Sequence, residues 1–430
     1  MTLIDRSAAE LRALLLRSLP LAARDAVARV VAGRASGGVY AVGGAVRDLL
    51  LTRPLGDIDL VTEDDAIDVA ARAFPGAKVT AHVRFRTAST IVDGTRIDIA
   101  TSRSETYARP GGLPRTSPAP IELDQRRRDF SMNAIAIRLD GDAMLLDPCS
   151  GRSDIEANLI RVLHDGSFVD DPTRIFRALR YAARLGFALE AHTATLLRRD
   201  VGYIATVGGE RLRRELALLL AEDAAATALE ACQAAGVLRA THEALQWEAS
   251  KSRALAAPPA TDVPRIPFGF ALLAANASAA NVDSVCERLR LPRHEATAVR
   301  GMAALAPLTD ILRRPGAKPS GVVVLLDRIP VASVAAYAAT ASDAIARQLA
   351  LRYLDEWRHV HPIFTGRDLL DLGVPAGPQV QRGLQLIRAA RLDGWASDRG
   401  DEHALALRFA KSVRDSGEEA FSVELHVNGN

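Results

Sequence analysis

The sequence predicts a small α/β domain followed by an all-α remainder, and two observations support that fold class. Short β-branched segments, divided by Gly and Asp, fill the stretch from Val39 to about residue 149. Beyond Gly151 the apolar residues instead recur at the 3.6-residue period of helices, to about residue 412. We therefore expect a small mixed or antiparallel sheet near the N-terminus and helices over most of the remaining chain.

Local signals predict the elements of the first domain. Asp93-Gly94 has the preference for positive φ that a two-residue hairpin turn requires. Arg109–Pro120 holds four prolines and two glycines, which predicts an irregular loop. The predicted strands are Val39–Val42, Ile58–Val61, Thr87–Val92, Arg96–Ala100, Ser131–Leu139 and Met144–Leu146.

Helices are predicted on both sides of this domain. An apolar pattern over residues 6–32 predicts a helix or a helix pair before the first strand. Prolines between residues 255 and 268, and again Pro362, predict breaks in the later helical part. The predicted helices that follow the strands directly are 154–165, 171–185, 190–200, 209–222 and 224–237.

Composition excludes several classes of protein. The 54 basic and 52 acidic residues nearly cancel, so no global charge indicates a nucleic-acid or membrane partner. Three scattered cysteines are too few for a disulfide framework or a thiolate metal site, and they fit a reducing cytoplasm. No apolar run reaches the ~18 residues that a membrane span requires, so we expect no membrane association.

A pair of glycines follows the first predicted strand and begins a helix. Gly43 and Gly44 would let backbone N–H groups approach an anion, and the start of a helix adds a partial positive charge. The alternative is an ordinary tight turn, because many Gly-Gly pairs have no ligand. Taken alone, this motif is a weak signal for phosphate binding.

Two carboxylates follow about ten residues later. Asp57 and Asp59 alternate with apolar residues, so both should point to one face, where Mg²⁺ would relieve their repulsion. The alternative is a solvated strand edge. A third carboxylate, Asp98, stands between apolar neighbours in another strand. It either completes a two-metal site or pairs with an arginine.

A basic segment precedes the last predicted hairpin. Arg126, Arg127 and Arg128 are followed directly by Asp129. Guanidinium groups bind phosphate oxygens, and a carboxylate accepts hydrogen bonds from ribose hydroxyls. The alternative is a solvated basic patch, which an isolated arginine triplet would favour.

In this order, the motifs resemble those of the class II tRNA nucleotidyltransferase and bacterial poly(A) polymerase family. The similarity is strong over residues 38–216 and moderate over 363–410. The segments that carry it are Gly43–Asp48, Asp57–Asp59, Arg127–Ala134, Gly151–Arg161, Phe168–Tyr181, Glu210–Leu216 and Thr365–Pro378. Several ordered motifs at consistent spacing make the resemblance far more specific than any single one.

The resemblance implies an enzyme with a nucleotidyltransferase head and helical neck, body and tail domains. Two Mg²⁺ ions would be held by Asp57 and Asp59, with Asp98 as a third catalytic carboxylate. Nucleotide contacts are implied for Gly43, Gly44, Arg47, Asp48, Arg127, Arg128, Asp129, Asn133, Asp171, Arg174, Arg177 and Arg180. The implied divisions are an N-terminal helical extension (1–32), the head (33–149), the neck (150–224), the body (225–361) and a tRNA-binding tail (362–430).

Asp171 and Arg174 have a distinctive implied role as a protein template for the incoming base. Three apart on a helix, their side chains would lie on one face. A carboxylate accepts from the amine of cytosine or adenine, and a guanidinium donates beside it, whereas guanine and uracil reverse that pattern. The alternative is an intrahelical ion pair that braces the neck.

The family's substrates are CTP, with ATP as well in members that complete the CCA end, and its acceptor is tRNA, held by its acceptor arm and elbow. The segment Glu105–Arg126 is short and proline-bound, as in members that add only CC, but full CCA addition stays open. Poly(A) synthesis is a less favoured alternative. So is a catalytically silent RNA-binding protein, which would not need both Asp57 and Asp59. Nothing in the sequence indicates a protein partner.

Overall fold

The computed structural model describes residues 3–314 and 316–416 of the chain. The chain divides into two compact units, Met1–Glu243 and Ala244–Asn430, and each is considered by itself. The first unit contains the sheet and the second is helical in its described part. This arrangement matches the predicted fold class.

A mixed seven-stranded sheet forms the centre of the first unit, with the order β3-β4-β5-β2-β1-β8-β9. Strands β2 and β5 run parallel, and the other neighbouring pairs are antiparallel. The strands of the first unit are β1 (Val39–Val42), β2 (Ile58–Thr62), β3 (Thr80–His82), β4 (Thr87–Val92), β5 (Thr95–Thr101), β6 (Arg103–Thr106), β7 (Arg115–Pro118), β8 (Ala136–Arg138), β9 (Leu145–Leu146), β10 (Leu159–Ile160) and β11 (Ala188–Leu189).

Helices cover the sheet where its side chains are apolar. The helices of the first unit are α1 (Ala8–Ser18), α2 (Leu21–Gly33), α3 (Gly44–Leu50), α4 (Ala66–Ala73), α5 (Ile121–Arg126), α6 (Gly151–Glu156), α7 (Ser167–Asp170), α8 (Thr173–Leu185), α9 (Ala191–Asp200), α10 (Gly209–Ala221), α11 (Ala225–Ala234) and α12 (Val237–Thr241). Helices α2, α3 and α4 contact the sheet, and Leu60, Ile97 and Ile99 are buried on one face of it. On the opposite face Tyr40, Val61 and the start of α5 form a smaller cluster. That second face also carries Asp59, because strand side chains alternate.

Three local predictions for this unit were wrong. The predicted loop Arg109–Pro120 contains strand β7, which pairs with β6 as a separate two-stranded sheet. Its proline at position 118 is tolerated because it is the last residue of a strand with only one partner. The predicted strand Ser131–Leu139 begins as a 3₁₀ turn over Ser131–Asn133, and only Ala136–Arg138 is extended. The predicted helix 154–165 ends at Glu156, before β10 pairs with β11.

The second unit is built on buried helices that contact one another. Helix α14 packs against α16 and α19, and α19 packs against α20, with Phe268 and Phe270 fully buried. A separate apolar cluster near the C-terminus joins α21, α22 and α23 through Leu369, Ile387 and Phe409. The helices are α13 (Ser252–Ala256), α14 (Arg265–Leu273), α15 (Ala279–Leu289), α16 (Arg293–Leu305), α17 (Thr309–Leu312), α18 (Pro319–Leu326), α19 (Val331–Thr340), α20 (Ala344–Asp355), α21 (Gly366–Asp371), α22 (Pro378–Leu392) and α23 (Arg399–Ser416).

In the described part of the chain, no single helix combines the length and apolarity that crossing a membrane requires. One bent pair, α18 with α19, passes the same test of length and composition when its two helices are taken together. The division into five segments stays a prediction, and its last segment includes residues 417–430, which lie outside the described residues.

Candidate active site

The turn between β1 and α3 depends on Gly43. Its φ of 65° lies in the region that favours glycine. A Cβ at this position would lie 3.0 Å from Nη1 of Arg128 and 3.8 Å from Oδ2 of Asp59. The turn therefore brings the backbone close to one cationic and one anionic side chain that are distant in sequence.

Asp59 and Asp98 lie side by side on the sheet. The parallel register of β2 and β5 pairs these two residues directly, so their side chains share a face. Asp57 immediately precedes Ile58, the first residue of β2. Desolvation raises the pKa of Asp59, and the negative charges of Asp98 and Asp57 raise it further, although Arg128 opposes them. Three carboxylates thus share one electrostatic environment.

These three carboxylates differ in whether they form an ion pair with an arginine. Asp98 is paired with Arg96, whose Nε lies 2.9 Å from Oδ2, so the arginine partner considered from the sequence is present. Within residues 3–314 and 316–416, the side chains of Asp57 and Asp59 form no ion pair or hydrogen bond. Mutually repelling carboxylates that have no ion-pair contact suit a hard divalent ion. In the same described residues, no group of three or more His, Cys, Asp or Glu side chains is placed so that it could hold a metal ion.

Buried acids fix the two arginines that follow α5. Asp124 is fully buried. Its Oδ1 lies 2.7 Å from Nη2 of Arg127, and its Oδ2 lies 3.0 Å from Nη2 of Arg128. Burial alone would raise the pKa of Asp124, but the two guanidinium groups lower it overall. Glu105 also accepts from Nη1 of Arg127, at 2.9 Å. Sequence reasoning missed both acids, although the spacing of Asp124 to the arginines, three and four residues, is a helical pairing signal.

A second network links Asp129 to three other elements. Its Oδ2 accepts from Nε of Arg177 on α8 at 2.9 Å, and its Oδ1 accepts from Nδ2 of Asn133 at 3.0 Å. Asn133 in turn accepts from Nη1 of Arg47 at 2.8 Å, and Arg47 forms a two-bond pair with Asp48. Burial would raise the pKa of Asp129, but Arg177 and the Asn133 amide bring it down to about 2.

Asp171 and Arg174 do not both lie on a helix, so that part of the prediction was wrong. Helix α8 begins at Thr173, and Oδ1 of Asp171 accepts from the backbone N of that residue at 3.1 Å. The chain leaves the helical conformation at Asp171, which is followed by Pro172 (φ and ψ of Asp171 are −135° and 92°). Arg174 is buried and donates to Oγ of Ser167 at 2.7 Å and to the carbonyl of Arg127 at 2.8 Å.

One cavity of about 360 Å³ gathers most of the predicted residues. Those that line it are Gly43, Gly44, Arg47, Asp59, Arg127, Arg128, Asp129, Asn133, Asp171, Arg174 and Arg177. The other four lie beside it. Asp57 precedes β2, Asp98 lines the adjoining cavity, Asp48 pairs with Arg47 behind the lining, and Arg180 donates to Oε1 of Glu222 at 2.9 Å.

Three further residues that the sequence interpretation did not select line the same cavity: Glu105, Tyr107 and Tyr181. The Tyr181 ring lies 4.9 Å from the guanidinium carbon of Arg180 and 5.5 Å from that of Arg177. Both arginines precede it on α8, so an aromatic residue within one turn of two arginines was the available signal. Tyr107 donates to Oε2 of Glu105 at 2.9 Å, although the two residues are only two positions apart in the chain.

Several known proteins are similar to this chain in sequence. Residues 39–161 match the family model described as the Poly A polymerase head domain. The A-adding tRNA nucleotidyltransferase of Geobacter sulfurreducens is 34% identical over 87% of this chain. The match covers only 45% of that relative's own length. The CC-adding tRNA nucleotidyltransferase of Deinococcus radiodurans is 35% identical over 85% of this chain and 88% of its own length. The chain belongs to the tRNA nucleotidyltransferase family.

One further relative matches a smaller part of this sequence, and two solved structures of CCA-adding enzymes are similar to this chain in fold. The CCA-adding enzyme of Geobacillus thermodenitrificans is 37% identical, but over 44% of this chain and 47% of its own length. The Thermotoga maritima CCA-adding enzyme complexed with tRNA has a TM-score of 0.74 and 27% identity, covering 95% of this chain and 99% of its own. A CCA-adding enzyme in complex with CTP gives the same TM-score and identity, covering 96% and 99%. These findings confirm the resemblance and the fold class predicted from the sequence.

The low pKa of Asp129 predicts a specific loss of stability in acid. The folded-state pKa of about 2 lies below the ordinary value of 3.8, so its contribution is present above about pH 4 and is lost as the pH falls towards 2. That contribution is about 2 kcal/mol. In urea unfolding from neutral pH downwards, Asp129→Asn should therefore show a weaker acid dependence than the wild type.

The matched control is Asp68→Asn, which changes an exposed carboxylate on α4. It should keep the acid dependence of the wild-type unfolding free energy. If Asp129→Asn and the wild type lose stability in parallel, the Asp129–Arg177 pair does not contribute as described.

Proposed function

We propose that this protein transfers CMP or AMP from the nucleoside triphosphate to the 3′ end of tRNA, with release of pyrophosphate. The observation that carries the proposal is the single cavity that joins Gly43, Arg128 and Asp59 to Asp171 and Arg174. The first group has the chemistry of a triphosphate site, and the second has the chemistry of a base site. Relatives of this chain are named for adding A, CC or CCA to tRNA, and the solved relatives include complexes with tRNA and with CTP.

The base would be recognised by side chains alone. Oδ1 of Asp171 accepts from Thr173 and from Nη2 of Arg211, which leaves Oδ2 to accept from the amine of cytosine or adenine. Within the described residues Arg174 has no carboxylate partner, so its charge is available to the ring nitrogen or carbonyl next to that amine. Guanine and uracil place a carbonyl where Asp171 needs a donor, and they would be rejected.

The triphosphate would lie between the arginines and the carboxylates. Arg127 and Arg128 are held by Asp124, so their guanidinium planes are already oriented before phosphate binds. Asp57 and Asp59 would hold the two Mg²⁺ ions together with phosphate oxygens. When bound there, Mg²⁺ would lower the pKa of the acceptor hydroxyl and offset the charge of the leaving pyrophosphate. Asp59 would orient the attacking 3′-hydroxyl in line with the bond that breaks.

We further propose that the site accepts one kind of nucleotide instead of switching between CTP and ATP. The segment before the arginines is held at Gly111, whose carbonyl accepts from Nη1 of Arg211 at 2.9 Å and whose N donates to the carbonyl of Val169 at 3.3 Å. A segment restrained at that point supports a fixed specificity.

Transcripts with defined 3′ ends test this proposal. Labelled CTP and ATP are supplied separately, and then together, to tRNA ending at the discriminator base, at C and at CC. A CC-adding enzyme extends the first two with CMP and stops at CC, whereas an A-adding enzyme uses only ATP and only the last. Extension of one substrate from the discriminator to complete CCA would overturn the single-nucleotide proposal. No incorporation into any transcript would overturn the transferase proposal and favour a silent RNA-binding protein.

Asp59→Asn should reduce nucleotide incorporation to the background of the assay while tRNA binding persists. The amide keeps the size of the side chain but cannot hold a divalent cation as a carboxylate does. Incorporation kinetics and filter binding of labelled tRNA measure the two properties. Asp68→Asn on α4 serves as the matched control, and undiminished incorporation by Asp59→Asn would refute the metal-site assignment.

Arg174→Met should lower the selectivity for the base more than it lowers the affinity for the triphosphate. We expect the ratio of kcat/KM for the preferred triphosphate over UTP to fall about tenfold or more, because the guanidinium hydrogen bonds to the base are removed. Arg198→Met, at an exposed position of α9, is the control. Circular dichroism checks folding, and an unchanged ratio in a folded variant would remove the template role.

A further inference from the structure

A row of polar residues crosses the sheet from Asp59 to its edge. The registers pair Asp59 with Asp98, Asp98 with Ser89, and Ser89 with Thr80, along strands β2, β5, β4 and β3. Residues paired in this way point to the same face. The row therefore begins at the candidate catalytic carboxylate and leads away from the nucleotide cavity.

Two adjoining cavities follow this row. The first, of about 360 Å³, is lined by Asp59, Asp98, Ser89, His82 and Arg96, and it shares Arg127 and Arg128 with the nucleotide cavity. The second, of about 490 Å³, again includes His82, Ser89 and Arg96 and adds Lys78 and Thr80. Shared lining residues make the two cavities one concave surface, which we call the acceptor track.

Positive charge and hydroxyl groups dominate the outer part of the track. Lys78 and His82 are exposed, and neither forms an ion pair within the described ranges 3–314 and 316–416. Arg96 uses its Nε for Asp98, and no hydrogen bond from its Nη groups is found in the same residues. Ser89 and Thr80 add hydroxyls that can donate to or accept from a ribose. Such a surface suits a sugar–phosphate backbone.

The turn between β3 and β4 adds an aromatic platform at the edge of the track. Arg84 lies over the Phe85 ring, 5.4 Å from its centre, and the Val83 side chain is 76% exposed. Basic residues beside an aromatic and an exposed apolar side chain are typical of sites for single-stranded nucleic acids. The motif Val83–Arg86 has no role in the nucleotide cavity.

We propose that the acceptor track binds the unpaired 3′ end of the acceptor RNA. The inference rests on the proposed function, because transfer needs a second substrate whose 3′-hydroxyl reaches Asp59 from the side that the triphosphate does not occupy. The track is a cavity that meets Asp59 on such a side. Lys78 and Arg96 bind backbone phosphates, Ser89 and Thr80 contact ribose hydroxyls, and the terminal ribose lies next to Asp59 and Asp98.

The double variant Lys78→Ala with His82→Ala tests this assignment without changing the nucleotide cavity. Two tRNA transcripts are compared, one with its unpaired 3′ nucleotides and one trimmed back to the last base pair, both with a 3′-deoxy end that cannot react. The double variant should bind the first about fivefold more weakly than the wild type does, and the trimmed transcript equally well. The slope of log affinity against log salt concentration should fall by about 0.7 for each phosphate that the variant no longer neutralises.

The matched control is Arg17→Ala, which removes an exposed charge from α1. That helix contacts β8, towards the opposite edge of the sheet from β3, so the control should bind both transcripts as the wild type does. Unchanged affinity of the double variant for the unpaired end, or an equal loss for both transcripts, would overturn the proposal. The KM for the triphosphate should not change in the double variant.

A photocrosslink locates the RNA end directly. With p-benzoylphenylalanine at position 82, irradiation should join the protein to the 3′-terminal nucleotides of the labelled transcript, whereas the same amino acid at position 17 should not. Crosslinks only to the double-stranded part of the tRNA would contradict the track. If the wild-type protein incorporates no nucleotide, the transferase proposal fails. If it incorporates normally but these binding and crosslinking results are absent, only the acceptor track fails.

Discussion

The candidate site depends above all on the ion pair between the buried carboxylate of Asp129 and the partly exposed guanidinium of Arg177. Asp129 lies after α5 and Arg177 lies on α8, so the pair joins the arginine-rich segment to the helix that carries Arg174. Asn133 extends the pair to Arg47 on α3. Removing Arg177 would leave the buried Asp129 carboxylate without its ion-pair partner, which costs about 3–5 kcal/mol in comparable pairs. Three distant segments therefore converge through one electrostatic network.

The charges around the cavity are separated in a way that suits a triphosphate. Asp124 and Glu105 both form ion pairs with Arg127, so its guanidinium plane is set before a ligand arrives. Asp59 faces the cavity without a cation of its own in the described residues, and Asp98 stands next to it. The charge of Arg127 is thus compensated within the protein, whereas Asp59 is left for an ion that comes with the substrate. The same carboxylate borders the acceptor track, where the second substrate would arrive.

Much of the site could be predicted because its residues stand in short motifs with local constraints. Gly43 is required by a positive φ and by the nearness of Arg128, and such constraints are visible as a Gly-Gly pair after a strand. The position of Asp171 was less predictable. Helical spacing to Arg174 suggested one helix, but Asp171 instead caps the start of α8 through Thr173. The strand over Arg115–Pro118 was missed because proline content indicates a loop unless a single-partner edge tolerates it.

The sequence by itself determined the fold class, the family and the chemical types of the site residues, since these follow from periodicity and from motifs only a few residues long. Only the tertiary structure decided which groups meet. Strand register brought Asp98 beside Asp59, although 38 residues separate them in the chain, and packing brought Arg177 to Asp129, 48 residues earlier. Such contacts arise from the packing of distant segments, and no local pattern of residues encodes the distance between them.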